Sequence, residues 1–201
     1  ISSTIKHIKA KTKIDFKFII TLSIGSVAGG IAGSRLFDYM LTIFDNTDLK
    51  RIQGIILGIL LIISVIYINL KKRKSFHVKN PIGIIVVGLS LGLTASFLGV
   101  GGGPINVAFL VLFFSMSMKD SAVYSVGVIF FSQISKLITT AVTNSIPEFN
   151  YLTLILAVAT AVIGGILGAR MNKKSNEKTI KTVFTIVVAC VAGVNLCNAV
   201  I

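Results

Sequence analysis

The chain has 201 residues, 54% of them hydrophobic and only 13% charged, with 18 glycines and a mean hydropathy of +0.89. A soluble domain carries charge on about a quarter of its residues, so water is not the main solvent of this chain, and disordered, coiled-coil, collagen-like and disulfide-scaffold classes are excluded with it. The net charge of +13 does not point to nucleic acid, because it sits in short segments between apolar runs and not along a groove interleaved with aromatics.

In chain order, apolar runs of membrane-spanning length cover Phe18 to Leu41, Ile52 to Leu70, Ser121 to Val142, Tyr151 to Met171 and Thr182 to Ile201. Between the second and third of these, the stretch 82–118 is broken at Gly99-Val100-Gly101-Gly102-Gly103-Pro104 into arms of about 17 and 14 residues. At 1.5 Å per residue the second arm reaches only about 21 Å, which predicts a hairpin broken inside the membrane or a re-entrant loop. The fold class is therefore all-α, a polytopic transmembrane helical bundle.

Fifteen of the twenty Lys and Arg fall in three clusters: Lys6 to Lys17, Lys71 to Lys79, and Arg170 to Lys181. Short loops rich in Lys and Arg stay on the cytoplasmic side. Placing all three there gives one path: span out, span back, hairpin starting and ending inside, then out, back and out again. The expectation is a multi-pass protein of the cell membrane with basic loops inside and the C-terminus outside.

An internal repeat organises this path. Gly29-Gly30-Ile31-Ala32-Gly33-Ser34-Arg35 matches Gly164-Gly165-Ile166-Leu167-Gly168-Ala169-Arg170 at an offset of 135, and Asp15 meets Asn150 at the same offset. Leu49-Lys50-Arg51-Ile52 meets Ile180-Lys181-Thr182-Val183 after a four-residue adjustment. The copies run in opposite directions, the inverted-topology repeat of secondary transporters. Residues 1–70 then read as the remainder of a first repeat, 71–81 as a cytoplasmic basic loop, and 82–201 as the second repeat, with hairpin 82–118 and helices 121–142, 151–171 and 182–201. Ile1 aligns with Lys136, so the repeat predicts about 54 further residues, bearing a partner hairpin, before Ile1.

The glycine break carries the chemistry. Three consecutive glycines let successive N–H groups converge on an anion, and Pro104 with Asn106 opens a short helix whose positive end faces the same spot. The alternative is a hinge where helices cross closely. Ser121, Ser125, Ser132, Ser135, Lys136, Thr139 and Thr143 recur along one face of the next span. Such residues line a cavity or bond within and between helices, and Lys136 either meets a ligand or extends to the interface. The candidate substrate-binding set is Gly101, Gly102, Gly103, Asn106, Ser125, Ser132 and Lys136. The Gly25, Gly29, Gly33 ladder and the Gly164, Gly168 pair read as close helix-packing surfaces.

Gly88-Leu89-Ser90-Leu91-Gly92 spells a nucleophile elbow, but the only histidines, His7 and His77, lie in basic loops, so no base is at hand and no enzyme is expected. Asp120 reads as an N-cap. Metal ligands do not cluster, and Cys190 and Cys197 sit in one apolar run. Neither a catalytic residue, a metal nor a cofactor is assigned.

Phe97-Leu98-Gly99-Val100-Gly101-Gly102-Gly103, followed by Lys119-Asp120-Ser121-Ala122-Val123-Tyr124-Ser125-Val126, resembles the second-repeat signature of the TauE/SafE sulfite exporter family. The glycine helices at 25–36 and 160–171 resemble that family's paired segments, so the likeness covers nearly the whole chain. It implies a transporter of small sulfur-containing anions, with Gly101, Gly102 and Gly103 at the substrate-facing loop and Ser125 on the lining helix. The chain departs from the pattern at Ala108, where the family often has proline, and at Pro104 and Lys136. The resulting expectation is export of sulfite or sulfonate-like anions by alternating access. The partners are a small anion and the bilayer, with no nucleic acid; a homo-oligomer is compatible. The competing reading is a non-transporting scaffold or accessory subunit whose polar stripe binds partner helices.

Overall fold

Each apolar run begins behind a short polar residue or a glycine that can end the preceding turn. The computed structural model, which describes residues 15–70, 75–99, 102–142 and 150–200, places a helix at each of these points. Helix α1 (Phe16–Leu41) starts after Asp15, whose Oδ1 accepts from the Phe18 N–H at 3.1 Å. Helix α2 (Asn46–Asn69) follows Asp45, and α3 (Pro81–Phe97) follows Asn80, which accepts from the Ile82 N–H. The short α4 (Gly103–Phe114) starts at Gly102. Helices α5 (Met118–Val142), α6 (Tyr151–Lys174) and α7 (Glu177–Val200) complete the set. Asn150 caps α6 through the Leu152 N–H, and Asn176 caps α7 through the Thr179 N–H. No strand occurs among the described residues, in keeping with the all-α expectation.

One expectation needs correction. Asp120 is not the cap of α5: Ser117 Oγ accepts from the Asp120 N–H at 3.1 Å and donates to Asp120 Oδ2 at 2.8 Å, so Ser117 caps the helix and Asp120 holds it in place. Four helices, α1, α2, α6 and α7, are long and apolar enough to cross a membrane on their own, and α4 with α5 as far as Ile134 makes a fifth candidate, bent by 120° at the break between Phe114 and Met118.

Backbone pairing fixes which helix ends meet. The Phe76 and Val78 N–H groups donate to the Leu112 and Phe113 carbonyls at 2.7 and 3.0 Å, so the chain entering α3 lies beside the end of α4. The two arms of the hairpin therefore begin and end on one side. Tyr124, in the second turn of α5, receives the Asp15 N–H on its hydroxyl at 2.9 Å, and Phe18 meets both Phe114 and Tyr124 edge to face. At the α6–α7 corner, Lys119 Nζ donates to the Lys173 and Ser175 carbonyls, Asn172 Nδ2 to the Lys119 carbonyl, and the Met118 N–H to Glu177 Oε1. Asn69 Nδ2 donates to Thr185 Oγ1, tying the end of α2 to the start of α7. The starts of α1, α3, α5 and α7 and the ends of α2, α4 and α6 thus share one end of the bundle, where the described basic residues of all three clusters lie.

Helix α1 packs against α3 with the chains parallel and almost in backbone contact. Cβ atoms added at Gly25, Gly29 and Gly33 would run into the Ile85, Leu89 and Leu93 carbonyls; at Gly88 and Gly92 they would run into those of Leu22 and Ser26. Where lipid competes equally for apolar side chains, such close approach of small residues is what holds helices together. Leu22, Leu57, Leu91, Ile105, Val128 and Val188 form a common core from six of the helices. Helix α6 stands outside that core. None of its residues is buried, and Gly164, Gly165 and Gly168 face nothing within 4 Å.

Candidate functional site

The break between α3 and α4 is built by backbone geometry. Leu98 ends α3, Gly99 turns at φ 69°, and Gly102 at φ 78°, ψ −5° caps α4 without a side chain. Positive φ disfavours any residue with a Cβ, so the break depends on glycine at both positions. The Asn106 N–H donates to the Gly102 carbonyl at 2.7 Å and closes the first turn. Pro104 has no N–H, so the groups left without an intrahelical acceptor are those of Gly102, Gly103 and Ile105, at the positive end of the α4 dipole.

Asn106 makes this end polar. It is only 3% exposed, and its Oδ1 has no hydrogen-bond partner. The same oxygen lies 2.8 Å from where a Cβ on Gly102 would sit, with the Ala95 methyl at 3.1 Å, so Gly102 and Asn106 are packed face to face. A buried polar atom without a partner costs about 1 to 3 kcal/mol unless something fills the role. Half a turn of the carboxamide would present its NH₂ donors in the same place. Gln53 of α2 closes the site from the side, its Nε2 donating to the Phe97 carbonyl at the last residue of α3.

The other predicted residues lie in a line along α5. Ser125 is buried and bonds back to the Ala122 carbonyl at 2.9 Å. Ser132 pairs with Ser26 of α1, Oγ to Oγ at 2.9 Å. Lys136 is exposed one turn further on. From Ser125 to Lys136 is about 16 Å of helix. The structure brings Gly102, Gly103 and Asn106 together, whereas Ser125, Ser132 and Lys136 form a track beside α1. Gly101 lies outside the described residues, as does Thr143.

Sequence reasoning missed Gln53, Ser23 and Ser26. Ser23 Oγ and Ser121 Oγ are buried without partners, so the α1–α5 region holds unsatisfied polar atoms besides Asn106. Gln53 stands alone as a long neutral polar residue in an apolar run, and Ser23 and Ser26 flank Gly25; those were the available signals. Ser90 bonds back to the Val86 carbonyl at 3.1 Å, as a helix-bound serine without a base does. Among the described residues no three His, Cys, Asp or Glu side chains gather as metal ligands.

Residues 1–195 match the family model described as Sulfite exporter TauE/SafE. The chain is also similar to the probable membrane transporter protein YunE of Bacillus subtilis (strain 168), with 27% identity over 208 residues, covering 93% of this chain and 72% of that protein. No solved structure matches it.

Proposed function

The chain belongs to the TauE/SafE sulfite exporter family of membrane transporters, and from that premise we propose that it carries small sulfur-containing anions, such as sulfite or a sulfonate, with the anion held at the glycine break. The carrying observation is the buried contact of Gly102 with Asn106 at the open end of α4. A deprotonated oxyanion only accepts hydrogen bonds, and this end supplies backbone donors and a favourable dipole without placing a cation in the bilayer. Ser125, Ser132 and Lys136 extend the path along α5.

Alternating access is the proposed cycle. It is supported by short polar residues at repeat-related helix starts: Asp15 and Asn150 accept from the first turns of α1 and α6, and Asp45 and Asn176 precede α2 and α7, Asp45 without a side-chain cap bond. The start of α1 and the end of α6 share one end of the bundle, as opposed copies require. That end, carrying the basic residues, is the cytoplasmic face of the plasma membrane in this reading. The exposed α6 favours one competing role, a subunit that binds partner helices.

Sulfite flux into proteoliposomes separates the two, with orientation read from impermeant thiol labelling of Ser75→Cys. Gly102→Ala, strained by positive φ and by Asn106, is expected to lower flux about tenfold, and Gly102→Val to abolish it in protein that still elutes as one folded species. A scaffold predicts loss of abundance with no selective loss of an anion. Folded Gly102→Val protein that moves sulfite like the parent would end the transport mechanism proposed here.

A further inference from the structure

A helix that ends inside a bilayer leaves its last carbonyls without partners, and hydrocarbon offers them none. Helix α3 ends in this way. The Leu98 N–H returns to the Thr94 carbonyl, so the carbonyls of Ala95, Ser96 and Phe97 lie beyond the last bond of the helix. Gln53 Nε2 donates to the third of them, at Phe97. Gln53 is partly buried and is the one polar side chain between Arg51 and Ser64, about 10 Å along α2 from its start at Asn46. A long amide at that depth in an apolar helix calls for a role.

The bond crosses between two helix pairs. Helices α1 and α3 are locked together through their glycines, and α2 packs chiefly against α7, where a Cβ on Gly58 would run into Leu196 and one on Gly54 would press on the Asn195 carbonyl. Close approach between α2 and α3 is sparse, so it is the length of the Gln53 side chain that reaches the end of α3. Charge adds a second reason. The C-terminus of α3 carries a partial negative charge, and it meets the positive N-terminus of α4 across Gly99 and Gly102, both at positive φ. An anion held at α4 therefore has the carbonyl end of α3 for a neighbour. A donor on the Phe97 carbonyl offsets part of that negative charge and fixes the direction in which the carbonyl points.

We propose that Gln53 is a positioning residue for the glycine break: it caps α3 from the neighbouring helix pair and holds the Phe97 carbonyl away from the anion bound at α4. It acts through Phe97 and does not touch the anion. The benefit to anion binding rests on the transporter reading; the capping of α3 does not. Without the amide, the last turn of α3 loses its tie to α2 and leaves a bare carbonyl beside a negatively charged ligand. Anion affinity then falls, while the steps that move the loaded protein stay as they were.

Two readouts on full-length protein in proteoliposomes test this. In sulfite flux, Gln53→Met, close in shape and without a donor, should raise KM about fivefold with kcat little changed. Gln53→His, whose Nε2–H falls near the amide nitrogen of glutamine, should recover most of the loss. A parent-like KM in Gln53→Met overturns the proposal. So does a Gln53→His protein no better than Gln53→Met, because shape would then matter and the donor would not. The second readout needs no substrate. Ser96, in the last turn of α3, has its Oγ 3.2 Å from where a Cβ on Gly30 of α1 would sit, and Ser96→Cys in a Cys190→Ser/Cys197→Ser background reports on that turn. Its labelling by a small methanethiosulfonate reagent should quicken several-fold when Gln53→Met is added. Unchanged labelling overturns the capping of α3. Should Gln53→Met not elute as one folded species, Gln53→Asn, too short by a methylene to reach Phe97, takes its place in both assays. A parent protein that moves no sulfur oxyanion overturns the transport reading, while the labelling rate still decides whether Gln53 holds the end of α3.

Discussion

Helices α1 and α6 carry nearly the same motif, Gly-Gly-Ile-Ala-Gly-Ser-Arg and Gly-Gly-Ile-Leu-Gly-Ala-Arg, yet they meet opposite surroundings. In α1 the ladder is filled by the backbone of α3, with glycines on each helix set against carbonyls of the other. In α6 the ladder is bare, while the foot of the helix at Asn172 and Lys173 is bonded to Lys119 of α5. A small-residue ladder is only a flat surface. It becomes a contact when a second helix with its own small residues arrives in register, as Gly88 and Gly92 of α3 do.

Side-chain insertion should break this contrast open with the largest effect. Gly92→Leu drives a branched side chain into the Ser26 carbonyl and should cost about 3 kcal/mol or more, leaving little monodisperse protein in detergent. Gly168→Leu points into open space in the described chain and should stay within about 0.5 kcal/mol by thermal unfolding. Equal losses would mean that something covers α6 in the assembled protein, and the contrast would fail.

A smaller effect is expected on the track along α5, where flux rather than folding is the readout. Lys136→Gln should raise the KM for sulfite about threefold while Lys136→Arg restores most of it, because a path-lining cation acts through its charge. Equal kinetics across the series would make Lys136 an interfacial anchor. Smallest of all is the Ser26–Ser132 pair between α1 and α5. A double-mutant cycle with alanine should give a coupling of about 0.6 kcal/mol, typical of hydrogen bonds between membrane helices. Zero coupling would leave α1 anchored to α5 chiefly by apolar contacts such as Ile19 against Gly127.

Much of the fold was legible because bilayer thickness and backbone hydrogen bonding restrict an apolar chain to helices of a narrow range of lengths. The apolar runs therefore marked the helices to within a few residues at most ends, and Gly99 to Pro104 marked the break. Asn106 could be named from the sequence because it stands in the turn after Pro104. Its burial against Gly102 could not, since that depends on the left-handed conformation at Gly102. The serine face of α5 was readable as a period, but not which serine bonds its own helix, as Ser125 does, and which bonds a neighbour, as Ser132 does.

Composition, charge clustering and the repeated glycine motif by themselves determined a polytopic helical protein with a broken hairpin, because each rests on a local cost of placing backbone or charge in lipid. Which glycine ladder is filled and where Gln53 pins the end of α3 were decided by tertiary structure alone. Those outcomes depend on which helices come side by side and in what register, and contacts between residues far apart in the chain leave no periodic mark within either segment.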